Sequence, residues 1–108
     1  NLLSNAVQAL ERSPVGDRRL GVIVQAHAGH ARLTVQDNGP GIAPDVMPHL
    51  FEPFFSTREG GLGLGLSLCE SLAQGMDGQL QATNGETQGA VFTLTLALAG
   101  LDEKGLLV

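Results

Sequence analysis

The sequence predicts a two-layer α+β sandwich, in which helices pack on one face of a sheet. Three observations carry that reading. A helical apolar stripe opens the chain, a β-rich pair of segments follows it, and a second stripe and a second β-rich pair follow a glycine-rich loop. The order is therefore helix, hairpin, loop, helix, hairpin, without a repeat or a linker. At 108 residues the chain has the size of one domain with a self-sufficient core.

The first segment, NLLSNAVQALERS, spaces Leu2, Leu3, Ala6, Val7 and Leu10 by one, three and four residues, which draws one apolar stripe on a helix. It ends before Pro14, and it places Asn1 and Asn5 on one face, one turn apart. RLGVIVQA (19–26) and ARLTVQD (31–37) read as two strands of an antiparallel hairpin, joined by His27-Ala28-Gly29-His30. Pro40 and Pro44 make the chain after Asp37 a loop, because proline lacks the donor that a central strand needs. Residues 43–55 have room for one short helix and hold Phe51, Phe54 and Phe55. Leu64, Leu68 and Leu72, with Cys69 and Ala73, form a second helical stripe that stops at Gly75. GQLQATN (78–84) and AVFTLTLAL (90–98) are the last two strands, and residues 99–108 form a tail outside the domain of residues 1–98.

Composition narrows the function. A chain that is 43% hydrophobic and 16% charged is neither disordered nor collagen-like. The uncharged run from Gly60 to Cys69 is too short to cross a bilayer. A net charge of -5, with its six basic residues scattered, disfavours a nucleic-acid partner. Cys69 has no cysteine to pair with, which suits a reducing cytosol; it lies on the apolar stripe and reads as core. His27 and His30 lack a third metal ligand and read as solvated turn residues, and His49 falls among loop residues.

Two stretches bear on chemistry. EGGLGLGLSLCESLA runs glycines into a helix start, where free amides and the positive end of the helix dipole favour a phosphate, although it is neither a Walker loop nor a dinucleotide fingerprint. DNGPG puts the Asp37 carboxylate at a strand end among glycines, where it can accept a hydrogen bond from an exocyclic amine of a flat base. The paired amides of Asn1 and Asn5 add oxygen ligands suited to a hard cation.

Taken together, these stretches resemble the ATP-binding domain of sensor histidine kinases, in the superfamily that includes type II topoisomerase, heat-shock chaperone and mismatch-repair ATPases. NLLSNAVQA is similar to the N box, DNGPGI to the G1 box, FEPFFSTRE to the F box, GLGLGLSL to the G2 box and GAVFTLTL to the final strand motif, in order from Asn1 to about Leu98. The wording is most similar to nitrogen- and dicarboxylate-type sensor kinases. The resemblance implies a Bergerat-type fold, with a mixed, mainly antiparallel sheet and with elements missing before Asn1.

It further implies roles. Asn5 would hold Mg²⁺ against the phosphate chain of ATP or ADP, with Asn1 beside it. Asp37 would bind the adenine amine, with Gly39, Gly41 and Ile42 shaping the base pocket. Gly61, Leu62, Gly63, Leu64, Gly65 and Leu66 would receive the phosphates, Phe51, Phe54 and Phe55 would anchor the lid, Phe54 and Thr57 would also bind nucleotide, and Asn5 and Arg58 would be the catalytic residues. The related ATPases activate water with a glutamate where Asn1 stands; an amide takes no proton, so transfer to a protein is favoured over hydrolysis.

Departures accompany the match. Gln8 replaces a frequent basic residue, Ala90 a frequent threonine, the lid Ser56–Gly60 is short, and no histidine sits in an acceptor motif. The implied partners are therefore a separate dimerisation and histidine-acceptor domain and, beyond it, a response regulator, in the cytoplasm, without membrane insertion by this segment and with room for a membrane anchor in the intact protein. The alternatives are a regulatory nucleotide-binding module without kinase activity and an anti-sigma-factor-like serine kinase.

Overall fold

The computed structural model describes residues 1–11, 13–55 and 65–97. Helix α1 spans Leu2–Leu10, strands β1 and β2 span Leu20–His27 and His30–Asp37, helix α2 spans Gly65–Gly75, and β3 and β4 span Gln79–Asn84 and Ala90–Ala97. The sheet order is β1-β2-β4-β3, and each pairing is antiparallel. Helix α1 lies over β2, and α2 over β3 and β4, giving the two layers.

Register sorts the side chains. Val35 pairs with Phe92 and Leu33 with Leu94, on the face that also carries Leu80 and Ala90. With Leu2, Ala6 and Ala73 from the helices these residues form the core, in which Val35 and Phe92 are each 1% exposed. The opposite face carries Thr34, Thr93 and Gln81 in one row, the polar side of an antiparallel sheet that faces water. The hairpin β1–β2 turns through Ala28 and Gly29 at φ 49° and 80°, the signs that a type I′ turn requires.

Four expectations change. Residues 43–55 hold only the 3-10 turn Met47–His49, because Pro44, Pro48 and Pro53 remove the donors a longer helix would use. On α1 the stripe divides: Leu2, Ala6 and Leu10 are buried, while Leu3 and Val7 are half exposed. On α2 the core side is Leu66, Cys69 and Ala73, and Leu68 and Leu72 stand outward, so the helix is rotated by about one residue from the stripe read in the sequence. Gly75 is the last helical residue, but the stop is made by Asp77 at φ 55°: Gly78 N–H donates to Ala73 O at 2.8 Å and Asp77 N–H to Gln74 O at 3.2 Å, a Schellman ending.

Candidate functional site

At one end of α1 lies a carboxylate held by backbone. Asp37, the last residue of β2, is 3% exposed. Its Oδ1 accepts the N–H of Gly39 at 2.9 Å and the N–H of Ala90 at 3.3 Å. Two backbone donors satisfy one oxygen of a buried charge and fix its direction, and Oδ2 bonds to no other described residue. Because Ala90 contributes its amide rather than its side chain, the absent threonine hydroxyl leaves this contact intact.

The loop after Asp37 is fastened on both sides. Asn84 accepts the N–H of Ile42 at 2.7 Å and donates to the carbonyl of Ile42 at 2.9 Å, so one side-chain amide clamps the loop as a strand partner would. Gly41 sits at φ +78°, and a Cβ there would come within 2.9 Å of Asn84 Oδ1. Gly39 is buried against α1, where an added Cβ would lie 3.0 Å from Ala9 O. Asn38 is held by Arg19 N–H, which donates to its Oδ1 at 2.7 Å.

At the other end of α1, Asn1 Nδ2 donates to Gly65 O at 3.3 Å, joining the helix start to the start of α2. Asn1 O accepts the N–H of Asn5 at 2.9 Å, and the half-buried Asn5 side chain makes no hydrogen bond with a described residue. From Asn1 to Ala9 the helix rises about 12 Å. It thus joins the Asp37 loop at one end to the first turn of α2 at the other, with Asn5 midway.

The structure therefore places Asn1 and Asn5 on α1, Gly39 against its far end beside the Asp37 carboxylate, Gly65 against Asn1, Gly41 and Ile42 against Asn84, and Leu66 on the core. Thr57, Arg58, Gly61, Leu62, Gly63 and Leu64 lie outside the described residues. Phe54 is 77% exposed at φ 66°, while Phe51 packs on the core. Phe55 lies against the His49 ring at a centroid distance of 5.6 Å, and His49 Nδ1 is 2.9 Å from Glu52 Oε1. Gln8 turns its amide oxygen inward, where it finds no partner among the described residues. Sequence reasoning missed Asn84 and Gly89. Both flank the turn NGETQG, but which loop that turn meets depends on the β2–β4 register.

Residues 1–100 match the family described as histidine kinase-, DNA gyrase B-, and HSP90-like ATPase. The chain is similar to the C4-dicarboxylate transport sensor protein DctB of Pseudomonas aeruginosa, 44% identical over 99 residues that cover 89% of this chain and 16% of that protein. It is also similar to the sensor protein FixL of Bradyrhizobium diazoefficiens, 36% identical over 101 residues covering 92% of this chain and 19% of that one. Among solved structures, the catalytic domain of histidine kinase ThkA superposes with a TM-score of 0.75 at 28% identity, over 89% of this chain and 61% of that chain. Full-length ShkA in complex with AMPPNP gives 0.70 at 32% identity, over 88% and 20%. The chain thus spans less than a fifth of the curated relatives named here.

Proposed function

The chain belongs to the histidine kinase-, DNA gyrase B-, and HSP90-like ATPase family, and on that premise we propose that it is the ATP-binding catalytic part of a sensor histidine kinase. The observation that supports this most is α1 itself, which joins a buried, oriented carboxylate at one end to the start of α2 at the other. Asp37 accepts the adenine amine, discriminating against a base that carries a carbonyl there. The loop pinned by Asn84 gives the base a rigid edge, and the first-turn amides of α2 face the phosphates. Asn5, whose amide oxygen is a hard donor without another partner among the described residues, would hold Mg²⁺, which would supply charge neutralisation on the phosphate chain.

Asn1 is engaged through its Nδ2 with Gly65 O, so its amide positions the α2 start and takes no proton from water. The site favours a protein acceptor over hydrolysis. The acceptor is a histidine on a separate dimerisation domain, and a response regulator takes the group from there. A ThkA structure includes its response regulator TrrA, and full-length ShkA was solved with AMPPNP, which are properties of those proteins. Thr57 and Arg58 of the lid are proposed to meet the γ-phosphoryl group. Among the described residues no helix is long and apolar enough to cross a membrane.

Two outcomes are expected. Asn5→Ala weakens Mg·ADP binding about tenfold or more while leaving Mg-free ADP binding nearly unchanged, which calorimetry in the two conditions reads directly; equal losses in both would remove Asn5 from the metal. With γ-labelled ATP and a histidine-acceptor domain supplied in trans, the chain produces a phosphoprotein that is labile to acid and stable to alkali. An acid-stable product would assign it to the serine kinases. No product from a chain that binds ADP would make it a regulatory module.

A further inference from the structure

The face of the sheet opposite α1 and α2 contains a cleft of about 360 Å³. Gly21 and Gln36 form its floor, opposite one another in the β1–β2 register, on the side of β2 away from buried Val35. Arg19, Asn38, Thr87 and Gln88 rise around them, and Asp37 closes one end.

The walls are fixed by hydrogen bonds among themselves. Asn38 N–H donates to Arg19 O at 3.3 Å, Asn38 Oδ1 accepts Arg19 N–H at 2.7 Å, and Gln88 Nε2 donates to Asn38 O. Asn38 also donates through Nδ2 to Asp17 O, so the strand end, the 3-10 turn Val15–Asp17 before β1 and the β3–β4 turn are tied into one frame. The Arg19 guanidinium, by contrast, makes no hydrogen bond or ion pair with a described residue. The one acidic side chain at the cleft, Asp37, is buried and already accepts two backbone N–H bonds. Space is left by Gly21: a Cβ added there meets nothing nearer than Gln36 O at 4.0 Å.

We propose that this cleft is a second binding site, adjoining the nucleotide site at Asp37, for a small hydroxylated anion carrying one carboxylate or phosphate group. Arg19 presents a forked donor that pairs with either oxyanion, and the Gln36 amide and the Thr87 hydroxyl match hydroxyl or carbonyl groups. The volume lies at the small end of ligand pockets, which suits a molecule of a few carbons.

The test is an amide-resolved NMR titration of the ¹⁵N-labelled chain with glycerate, with glycerol 3-phosphate and with neutral glycerol. Either anion is expected to shift the amides of Gly21, Gln36, Asn38 and Gln88 saturably, and glycerol is not; the stronger anion tells carboxylate from phosphate. Arg19→Gln weakens that binding at least tenfold, and Gly21→Leu, which fills the cleft, abolishes it, each with the remaining spectrum of the folded chain preserved. The proposal is overturned if neither anion gives saturable shifts at these amides, if the shifts centre on Gly65 and Leu66, or if both variants bind as the unaltered chain does.

Discussion

Gly89→Ala costs the domain about 3 kcal/mol or more and takes most of its nucleotide affinity with it. Gly89 sits at φ +82°, which charges an L residue about 1–2 kcal/mol for the backbone alone. Its added Cβ would lie 1.8 Å from Asp37 O, 2.6 Å from Asp37 C and 2.8 Å from Asn38 Cα, all backbone atoms. Relief requires the β3–β4 turn to part from the end of β2, and overpacking of that kind adds roughly 1–3 kcal/mol. The next residue, Ala90, donates to the Asp37 carboxylate, so the displacement reaches the base-binding group itself. A lowered urea midpoint together with weakened ADP binding is the expected pair of results. Gly75→Ala is the matched control: nothing lies within 4 Å of its Cβ, and a gain of about 0.4–1 kcal/mol is expected. Equal behaviour of the two variants would show that the turn does not press on Asp37.

Phe92→Ala has an effect of similar size by a different route. The ring is 1% exposed at the centre of the sheet, across from Val35 and beneath the two helices. Truncation removes its burial and leaves a cavity that its neighbours fill incompletely, a loss of about 3–5 kcal/mol. Domains of this kind hold roughly 5–15 kcal/mol in all, so thermal and urea unfolding both shift far toward milder conditions. Phe54→Ala is the contrast, since that ring is 77% exposed and its removal leaves the midpoint within about 0.5 kcal/mol. A Phe92→Ala variant as stable as the unaltered chain would contradict the core described here.

How much of this was legible in the sequence depended on whether a signal was local. Strand ends fell within one residue of the expected ones wherever they are described, because alternation and the flanking turn residues are local signals. The helix faces were read less well. Leu68 and Leu72 outweigh Leu66 and Cys69 in hydrophobicity, yet Ala73, 0% exposed, shares the core with Leu80, so the helix turns its small residue inward. The apolar stripe alone carries no information on that contact. Prolines at 44, 48 and 53 were visible, and the room for a helix was still overrated.

The site divided in the same way. Asp37, Asn1 and Asn5 were proposed through residue type and order; the structure places Asn1 and Asn5 on one helix and the Asp37 loop at its far end, and their roles stand as proposals. The Asn84 clamp on Ile42 and the pressure of Gly89 on Asp37 join positions some forty to fifty residues apart. They follow from the register of β4 between β2 and β3, which no pair of short motifs encodes. Arg58 and Thr57, assigned to the lid, lie outside the described residues and stand as proposals.

Calorimetric titration of the chain with ADP, with and without Mg²⁺, beside Asp37→Asn tests the nucleotide site most directly. Saturable binding to the unaltered chain, stronger with Mg²⁺ and weakened about ten- to a hundredfold by Asp37→Asn, is the expected result, since a hydrogen bond to a charged group contributes about 1.5–3 kcal/mol. Absence of heat from a chain shown to be folded, or binding that Asp37→Asn leaves unchanged, would contradict it.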